Sequence, residues 1–384
     1  MTALDGSTPE EDVAATIDAI RWTPERRDEL VSLLPENVPL YQGRTSAEVT
    51  RLRGYLLAAF ADTGLPAAAV PYVLEALESG HMPYEVAGAA IAVRGFEGPA
   101  AEFVPYLLRA ARNLTGADST VSFEAYDPRW PYAQPTTALA EVFRTIGGLG
   151  AEAATALPEL DRLAEEPERF PAPVLEAIQS AREAIRAAQH TAEAPHSCCN
   201  EVALVDASEE PAGGTLDVEL EDQDGRAETF TGFFGGKPSV VAFFYTRCDN
   251  PYKCSLTVTK LAQIQELTRE RGLEHAFRLA AITYDPEFDL PKRLKLYGSD
   301  RGVSFGDDVR FFRTTSGFDR LSRRFGLGVN YGSSTVNRHR IEAYVLDASG
   351  EVADSFTRLQ WEPEEVLAAA EALLVAAPYG SKRP

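Results

Sequence analysis

The chain has 384 residues, 45% of them hydrophobic and 25% charged, which suits soluble folded domains and allows two or three of them. Its formal net charge of −21 argues against nucleic-acid binding, because phosphate contacts need clustered Lys and Arg. No run approaches the roughly 20 apolar residues of a membrane-spanning helix, and residues 1–20 lack the basic start and apolar run of a secretory signal. We therefore expect a cytoplasmic protein with no membrane span.

The N-terminal half carries a repeated helical pattern. Residues 1–44 are predicted to form a leader with short helices, and residues 45–190 an all-α domain. Ala69–Leu77 is echoed by Phe103–Ala111, 34 residues later, and more weakly by Ala156–Ala164. Each copy has a proline near its start. Proline lacks a backbone N–H, and in the first turn of a helix this group has no partner within the helix, so its absence costs nothing.

Companion helices are predicted between these copies, at Tyr84–Arg94, Thr137–Ile146 and Ala172–Ala188. Helix pairs with a period of this size are typical of an α-solenoid, and the segment resembles HEAT repeats. The resemblance implies a platform for a protein partner.

An aromatic insert separates the second and third copies, over Thr115–Pro135. It holds Phe123, Tyr126, Trp130 and Tyr132 among Gly, Asp and Pro residues. Long aromatic loops often make contacts with partners, but the favoured interpretation is that the rings cap the helices or rest on the next domain.

A change of composition over residues 191–214 predicts the linker between domains. Together with His190, this segment holds His196, Cys198 and Cys199, a short His/Cys-rich tract. Adjacent cysteines do not readily form a disulfide with each other, because disulfide geometry needs well-separated Cα atoms. The tract is therefore either a secondary metal or redox site or an idle linker.

After the linker the pattern changes to alternating strands and helices, which predicts an α/β domain over residues 215–378. A continuous apolar strand over Ser239–Thr246 runs into Cys248, with a helix over Leu256–Arg271 behind it. The other predicted elements are strands at Thr215–Glu221, Ala227–Phe230, Phe277–Tyr284, Arg340–Asp347 and Glu351–Thr357, and helices at Pro291–Tyr297, Phe318–Phe325 and Pro363–Leu374. This order is that of a thioredoxin-like fold.

The most informative motif is the segment Phe243–Thr257, in which an aromatic-Thr-Arg-Cys sequence leads to a second cysteine and then a helix. Gly236–Pro238 precedes the strand, Ile282–Glu287 follows the next strand, and Asn337–His339 precedes the last hairpin. Over residues of about 215–375 this pattern resembles the SCO/SenC family of copper-binding proteins. The resemblance implies a thioredoxin-like fold, a bound copper ion, and the ligands Cys248, Cys254 and His339.

The spacing of the cysteines departs from the usual pattern of that family. Here it is C-x5-C where the family has C-x3-C, and the longer loop places Lys253 beside Cys254. The change could enlarge the site, alter its coordination or favour dithiol chemistry. Soft thiolates select Cu(I), and two thiolates with an imidazole also suit Cu(II). A helix start together with Lys253 and Arg247 is expected to lower both thiol pKa values.

Three functions are compatible with these residues. The first is a metallochaperone that carries or delivers copper, with the helical repeats as the partner-binding platform. The second is an oxidoreductase that uses Cys248 and Cys254 as catalytic groups, for thiol–disulfide exchange, peroxide reduction or copper-dependent tailoring. The third is an inert interaction scaffold, in which His339 is only a surface histidine between two arginines.

Overall fold

A computed structural model describes residues 4–123, 126, 134–191 and 218–376. Its contacts divide the chain into two units, Met1–Asp206 with Asn330–Ser333, and Ala207–Val329 with Ser334–Pro384. Trp130 and Tyr132 of the aromatic insert lie outside the described residues, as does the predicted linker beyond residue 191. None of the helices in the described part of the chain is long and apolar enough to cross a bilayer.

The first unit is helical. Its one described strand pair, β1 (Thr120–Val121) with β2 (Thr136–Thr137), is antiparallel. Its helices are α1 (Glu10–Arg21), α2 (Arg27–Val31), α3 (Ser46–Ala58), α4 (Phe60–Thr63), α5 (Val70–Ser79), α6 (Pro83–Val93), α7 (Val104–Leu114), α8 (Ala138–Gly148), α9 (Leu157–Ala164) and α10 (Ala172–Thr191).

The helix starts follow from local chemistry. Helices α5, α7 and α9 each have their proline at the second position, where the missing N–H is not needed. Helix α3 begins at a capping box, in which Thr45 and Glu48 satisfy each other's backbone N–H groups. Helix α5 packs on α6 and α7, while α8 packs on α6, α7 and α10. The predicted helices are therefore present, and their assignment to HEAT repeats stays a prediction.

A buried ion cluster joins three segments of this unit. The Arg53 guanidinium lies 3.3 Å from a Glu36 carboxylate oxygen and 3.2 Å from one of Glu85, and all three side chains are buried. Its Nη1 also donates to the Leu34 carbonyl. Such an arrangement is stable only as a set, because each buried charge relies on the others for its compensation.

The second unit is built on a seven-stranded sheet with the strand order β11-β10-β5-β6-β7-β3-β4. Strands β5, β6 and β7 are parallel, and the other neighbours in this sheet are antiparallel. The strands are β3 (Glu219–Asp222), β4 (Ala227–Thr229), β5 (Ser239–Phe244), β6 (Arg278–Thr283), β7 (Val309–Ser316), β10 (Glu342–Leu346) and β11 (Val352–Thr357). Strand β8 (Val329–Tyr331) crosses the boundary between the two units in the chain, and strand β9 (Val336–His339) belongs to the second unit but not to its sheet.

Five helices accompany this sheet: α11 (Phe230–Phe234), α12 (Leu256–Glu270), α13 (Pro291–Ser299), α14 (Phe318–Phe325) and α15 (Pro363–Ala376). All six residues of β5 are buried, as expected for a central strand, and helices α12 and α15 pack on it and on each other. Because β5 and β10 are antiparallel neighbours, the chain leaving β5 and the chain entering β10 lie next to each other at one edge of the core.

Several described elements were not predicted from the sequence, among them helix α11 and strands β7 and β9, the last of which ends at His339. Strand β7 carries Arg310 and Arg313 among its aromatic residues, which hides its alternation. Arg313 is held by Glu221 of the neighbouring strand β3, with 2.5 Å between Nε and Oε2. A tertiary ion pair thus supports a strand that local pattern alone does not indicate.

We predict that replacing Arg53 by Met destabilises the first unit strongly. Glu36 and Glu85 would remain buried without their shared counter-charge, which should cost about 3–5 kcal/mol of unfolding free energy. Urea denaturation followed by far-ultraviolet circular dichroism measures this change. The matched control is Arg162→Met, whose pairs with Glu159 and Glu166 lie at the surface and should contribute little, because solvent screens them. Equal, small losses in both variants would contradict the prediction.

Candidate metal centre

Cys248 follows the end of strand β5 in a turn that Asp289 holds in place. The Thr246 N–H donates to Asp289 Oδ2 at 3.0 Å, the Thr246 hydroxyl donates to Oδ1, and the Thr283 hydroxyl donates to Oδ2 at 2.5 Å. Burial raises the pKa of the Asp289 carboxyl, although these hydrogen bonds oppose the rise. The buried Asp289 carboxyl group thus accepts hydrogen bonds at both oxygens and fixes the turn at Thr246, two residues before Cys248.

Cys254 lies in a single π-helical turn, Pro251–Ser255, that precedes helix α12. The Asn250 side chain caps this turn by accepting from the Tyr252 N–H at 2.9 Å. Lys253 departs from helical geometry, with φ −114° and ψ −108°. Single π-turns occur often at functional sites. Here the turn accommodates the longer loop between the cysteines and leaves the Cys254 side chain 1% exposed.

His339 supplies the third side chain of the group. Its Nδ1 lies 2.9 Å from the Arg340 carbonyl oxygen, and since a carbonyl only accepts, we assign the ring proton to Nδ1. That leaves the lone pair of Nε2 directed at the sulfurs, 3.4 Å from Cys248 Sγ and 3.4 Å from Cys254 Sγ. The ring packs against Tyr245 and Tyr284, each with ring centroids 5.4 Å away.

The two sulfurs and Nε2 all lie within 4.8 Å of one another, so the three residues form a group that could hold a metal ion. Within the described residues, this is the one such group of three or more His, Cys, Asp or Glu side chains. Two sulfurs and an imidazole are a soft donor set of the kind that binds copper. The structure therefore brings together all three predicted main-site residues.

The two cysteines differ in their electrostatics. A hydrogen bond from the Cys254 thiol lowers the pKa of Cys248 to about 3. Burial, together with the Cys248 sulfur, raises the pKa of Cys254. The expectation that both thiol pKa values are lowered is therefore wrong for Cys254, because desolvation outweighs the nearby Lys253 charge. Arg247, also expected to act on the thiols, pairs with Asp285.

The sequence analysis did not identify Glu342, which binds two residues that contact His339, namely Tyr284 and Arg340. Glu342 is buried and accepts from the Gly328 N–H at 2.8 Å, from Arg340 Nε at 2.7 Å and from the Tyr284 hydroxyl. In the sequence, Glu342 stands out as a charged residue in the otherwise apolar strand β10. Its burial is explained by the three groups that donate hydrogen bonds to it. Of the possible secondary site, His196, Cys198 and Cys199 lie outside the described residues.

We predict that in the metal-free, reduced protein Cys248 reacts with iodoacetamide at a nearly constant rate between about pH 5 and pH 8, because its thiolate persists well below that range. An ordinary thiol with a pKa of about 8.5 would slow about tenfold per pH unit over the same range. Peptide mass spectrometry follows each of the four cysteines separately, and between Cys248 and Cys254 it should place the adduct on Cys248, since Cys254 is buried.

The control for this measurement is Cys254→Ala, which removes the hydrogen bond that contributes most to the lowered Cys248 pKa and should restore a rate that falls toward acid. A rate for the unsubstituted protein that rises steeply with pH, as for a free thiol, would rule out the lowered pKa.

The SCO1/SenC family model matches residues 208–375. Similar solved structures include a SCO1/SenC family lipoprotein from Bacillus anthracis (20% identity, 44% of this chain and 99% of that chain, TM-score 0.37). Copper-bound ScoI from Bradyrhizobium japonicum is also similar (20% identity, 43% of this chain and 99% of that chain, TM-score 0.33). So is copper-bound yeast Sco1 (22% identity, 46% of this chain and 96% of that chain, TM-score 0.35). No curated protein matches the chain. Residues 208–375 are thus a SCO1/SenC family domain with its thioredoxin-like fold, as predicted from the sequence.

Proposed function

We propose that this protein carries or delivers copper, binding one ion through Cys248, Cys254 and His339. The observation that supports the proposal is the convergence of two sulfurs and one imidazole nitrogen within 4.8 Å. Thiolates select Cu(I), and the added imidazole makes the same set suitable for Cu(II). Two similar structures, ScoI from Bradyrhizobium japonicum and yeast Sco1, also contain bound copper.

The burial of the three ligands supports a carrier in particular. Cys254 and His339 are buried, whereas Cys248 is partly exposed. An ion held here would be shielded on one side and reachable past Cys248 on the other. A thiolate from a partner could then replace the Cys248 sulfur first, so that the ion passes between proteins without being released into water.

The helical residues 45–190 are the proposed platform for the protein partner, arranged as a HEAT-like solenoid. The recurrence of a proline-initiated helix in α5, α7 and α9 supports this arrangement. The cytoplasmic location expected from the sequence stays a prediction.

An anaerobic Cu(I) titration against a chromophoric competitor tests the copper site. We expect one equivalent to bind the reduced protein. Cys248→Ser, Cys254→Ser and His339→Ala should each weaken binding by about 100-fold or more, because loss of a direct ligand should cost at least as much as loss of a supporting group.

Two control variants locate the binding. His275→Ala removes an exposed histidine, and the double variant Cys198→Ser/Cys199→Ser removes the other pair of thiols. Both should still bind one equivalent with unchanged affinity. The proposal would be contradicted by a wild-type protein that does not bind Cu(I), or by a Cys248→Ser variant that binds Cu(I) as tightly as wild type.

A second candidate function is thiol–disulfide exchange, with Cys248 as the attacking thiolate. The observation that favours it is the lowered Cys248 pKa beside a second sulfur within 4.8 Å, so that only a small movement separates the pair from a disulfide. Peroxide reduction and copper-dependent tailoring would use the same two sulfurs. The inert-scaffold alternative requires ordinary thiols, so the alkylation experiment above also tests it.

The midpoint potential of the Cys248/Cys254 couple tests the exchange function. An exchange enzyme should show a potential between about −270 and −120 mV, as thioredoxin-like oxidoreductases do. Equilibration of the metal-free protein with glutathione buffers, followed by thiol counting, gives this value. A potential below about −300 mV, typical of a structural disulfide, would exclude exchange as the main role.

A further inference from the structure

Helix α13 and the residue before it present large apolar side chains to solvent. In the described part of the chain three such side chains are largely exposed, and two of them belong to this segment. Leu290, the N-cap of the helix, is 50% exposed, and Leu296 is 63% exposed. Leu294, two residues before Leu296 and therefore on the other side of the helix, is fully buried. The core is thus complete without the two exposed side chains, and neighbouring exposed apolar groups commonly mark a contact surface.

The same helix is positively charged in an acidic protein. It holds Lys292, Arg293 and Lys295 and no acidic residue, whereas the whole chain has 37 Lys and Arg against 58 Asp and Glu. Lys295 pairs with Asp224 at 2.6 Å. Lys292 and Arg293 are exposed, and neither forms an ion pair with another described residue. Two cations are therefore available to the carboxylates of a partner.

Exposed acidic residues border this surface but do not lie on the helix. Glu287 precedes the helix in the chain, Asp300 follows its last residue, and Asp249 follows Cys248. They confine the positive surface to α13 itself, so that an acidic partner is attracted to the helix and not to the loops beside it.

A ring stack connects α13 to the residue before Cys248. The Arg247 guanidinium lies over the Phe288 ring, 3.9 Å from its centroid, and the Arg293 guanidinium lies over the same ring at 3.7 Å. Cys248 is the partly exposed sulfur of the candidate metal centre. A partner bound to α13 therefore lies next to the metal ligand that it can reach.

We propose that Leu290, Lys292, Arg293 and Leu296, here called the α13 face, form the docking surface for the protein with which this chain exchanges copper. The occupant is an acidic protein surface with exposed apolar side chains that presents a copper-binding thiolate. Charge complementarity and the proximity of Cys248 support this partner. The inference rests on the proposed function, since it names the class of partner that uses the same metal centre.

Two other occupants fit the charges less well. A second copy of this chain would place the same cations against each other in a two-fold contact. An anionic membrane would be repelled by the rest of the chain, whose net charge is −21.

Two synthetic Cys-x-x-Cys peptides loaded with Cu(I) test the proposal, one flanked by Leu and Glu residues and the other by Leu and Lys. A fluorophore on each peptide reports loss of Cu(I), and stopped-flow mixing with the reduced full-length protein gives the second-order rate constant of transfer. In the transfer, Cu–S bonds to the peptide break as bonds to Cys248 and Cys254 form. The ion stays Cu(I), and the proton of the Cys254 thiol passes to a released peptide thiolate.

We expect the acidic peptide to transfer Cu(I) about tenfold faster than the basic one at low salt, with a smaller difference at high salt. Lys292→Glu should remove most of this difference. Leu296→Ser should slow transfer from both peptides about fivefold, because it removes apolar area that the partner covers. Trp22→Ser, which removes the third exposed apolar side chain, should leave both rates unchanged.

The matched control for charge lies on the other side of the sheet. Phe325 of α14 packs on Phe243 of β5, whereas Tyr297 of α13 packs on the next residue of that strand, which points the opposite way. Arg323→Glu, at an exposed position in α14, changes the net charge as much as the lysine variant does. It should leave the difference between the two peptides as in wild type.

Equal rates for the two peptides with wild-type protein, or the same loss in Lys292→Glu and Arg323→Glu, would overturn the proposal. The proposed function would then stand, as long as the titration described above shows bound Cu(I). A wild-type protein that binds no Cu(I) would remove both. Each variant should bind one equivalent with unchanged affinity, and where Leu296→Ser does not, the comparison of the two charge variants decides.

Sedimentation and vesicle flotation examine the other occupants. A dimer of the wild-type protein that Leu296→Ser dissociates would assign the α13 face to a second copy of the chain. Binding to phosphatidylserine vesicles that the same variant loses would assign it to a membrane. Either result would overturn the proposal.

Discussion

The hydrogen bond from His339 Nδ1 to the Arg340 carbonyl is the interaction on which the rest of the centre depends. It assigns the ring proton to Nδ1, so that Nε2 presents a lone pair to both sulfurs at 3.4 Å. The Lys253 ammonium holds the carbonyl of the same histidine, and two tyrosine rings fix the plane of its imidazole. A metal ligand oriented in this way loses little freedom on binding, because its geometry already exists in the folded chain.

The sheet explains why the cysteines and the histidine meet although 85 residues separate Cys254 from His339. Strands β5 and β10 are antiparallel neighbours, with Ala242 opposite Ala343 and Tyr344 opposite Val241. Extending this register beyond both strands places residue 246 opposite residue 339. The chain that leaves β5 toward Cys248 therefore passes the chain that enters β10 from His339. Backbone pairing deep in the core thus sets the distance between ligands at its edge.

The sequence was sufficient for the features that depend on strong local patterns. The apolar run of β5 and the helix behind it could be predicted from residue type and spacing, and the three site residues from the resemblance to the SCO/SenC family. Lys253 could not, because its burial results from a π-turn that has no local signature. The pKa of Cys254 was wrongly predicted for a related reason. Position in the chain suggested a helix start and a nearby cation, but burial decides the charge, and burial depends on tertiary packing.

The difference between the two cysteines bears on how copper binding and disulfide formation relate. The same two sulfurs serve both, so one state excludes the other: a disulfide leaves no thiolate for the metal, and a bound ion blocks the attack of one sulfur on the other. Cys248 is the reactive and accessible member, whereas Cys254 is held within the core beside Lys253. The reduced pair, with a Cys248 thiolate and a buried Cys254 thiol, is therefore the state that can accept copper.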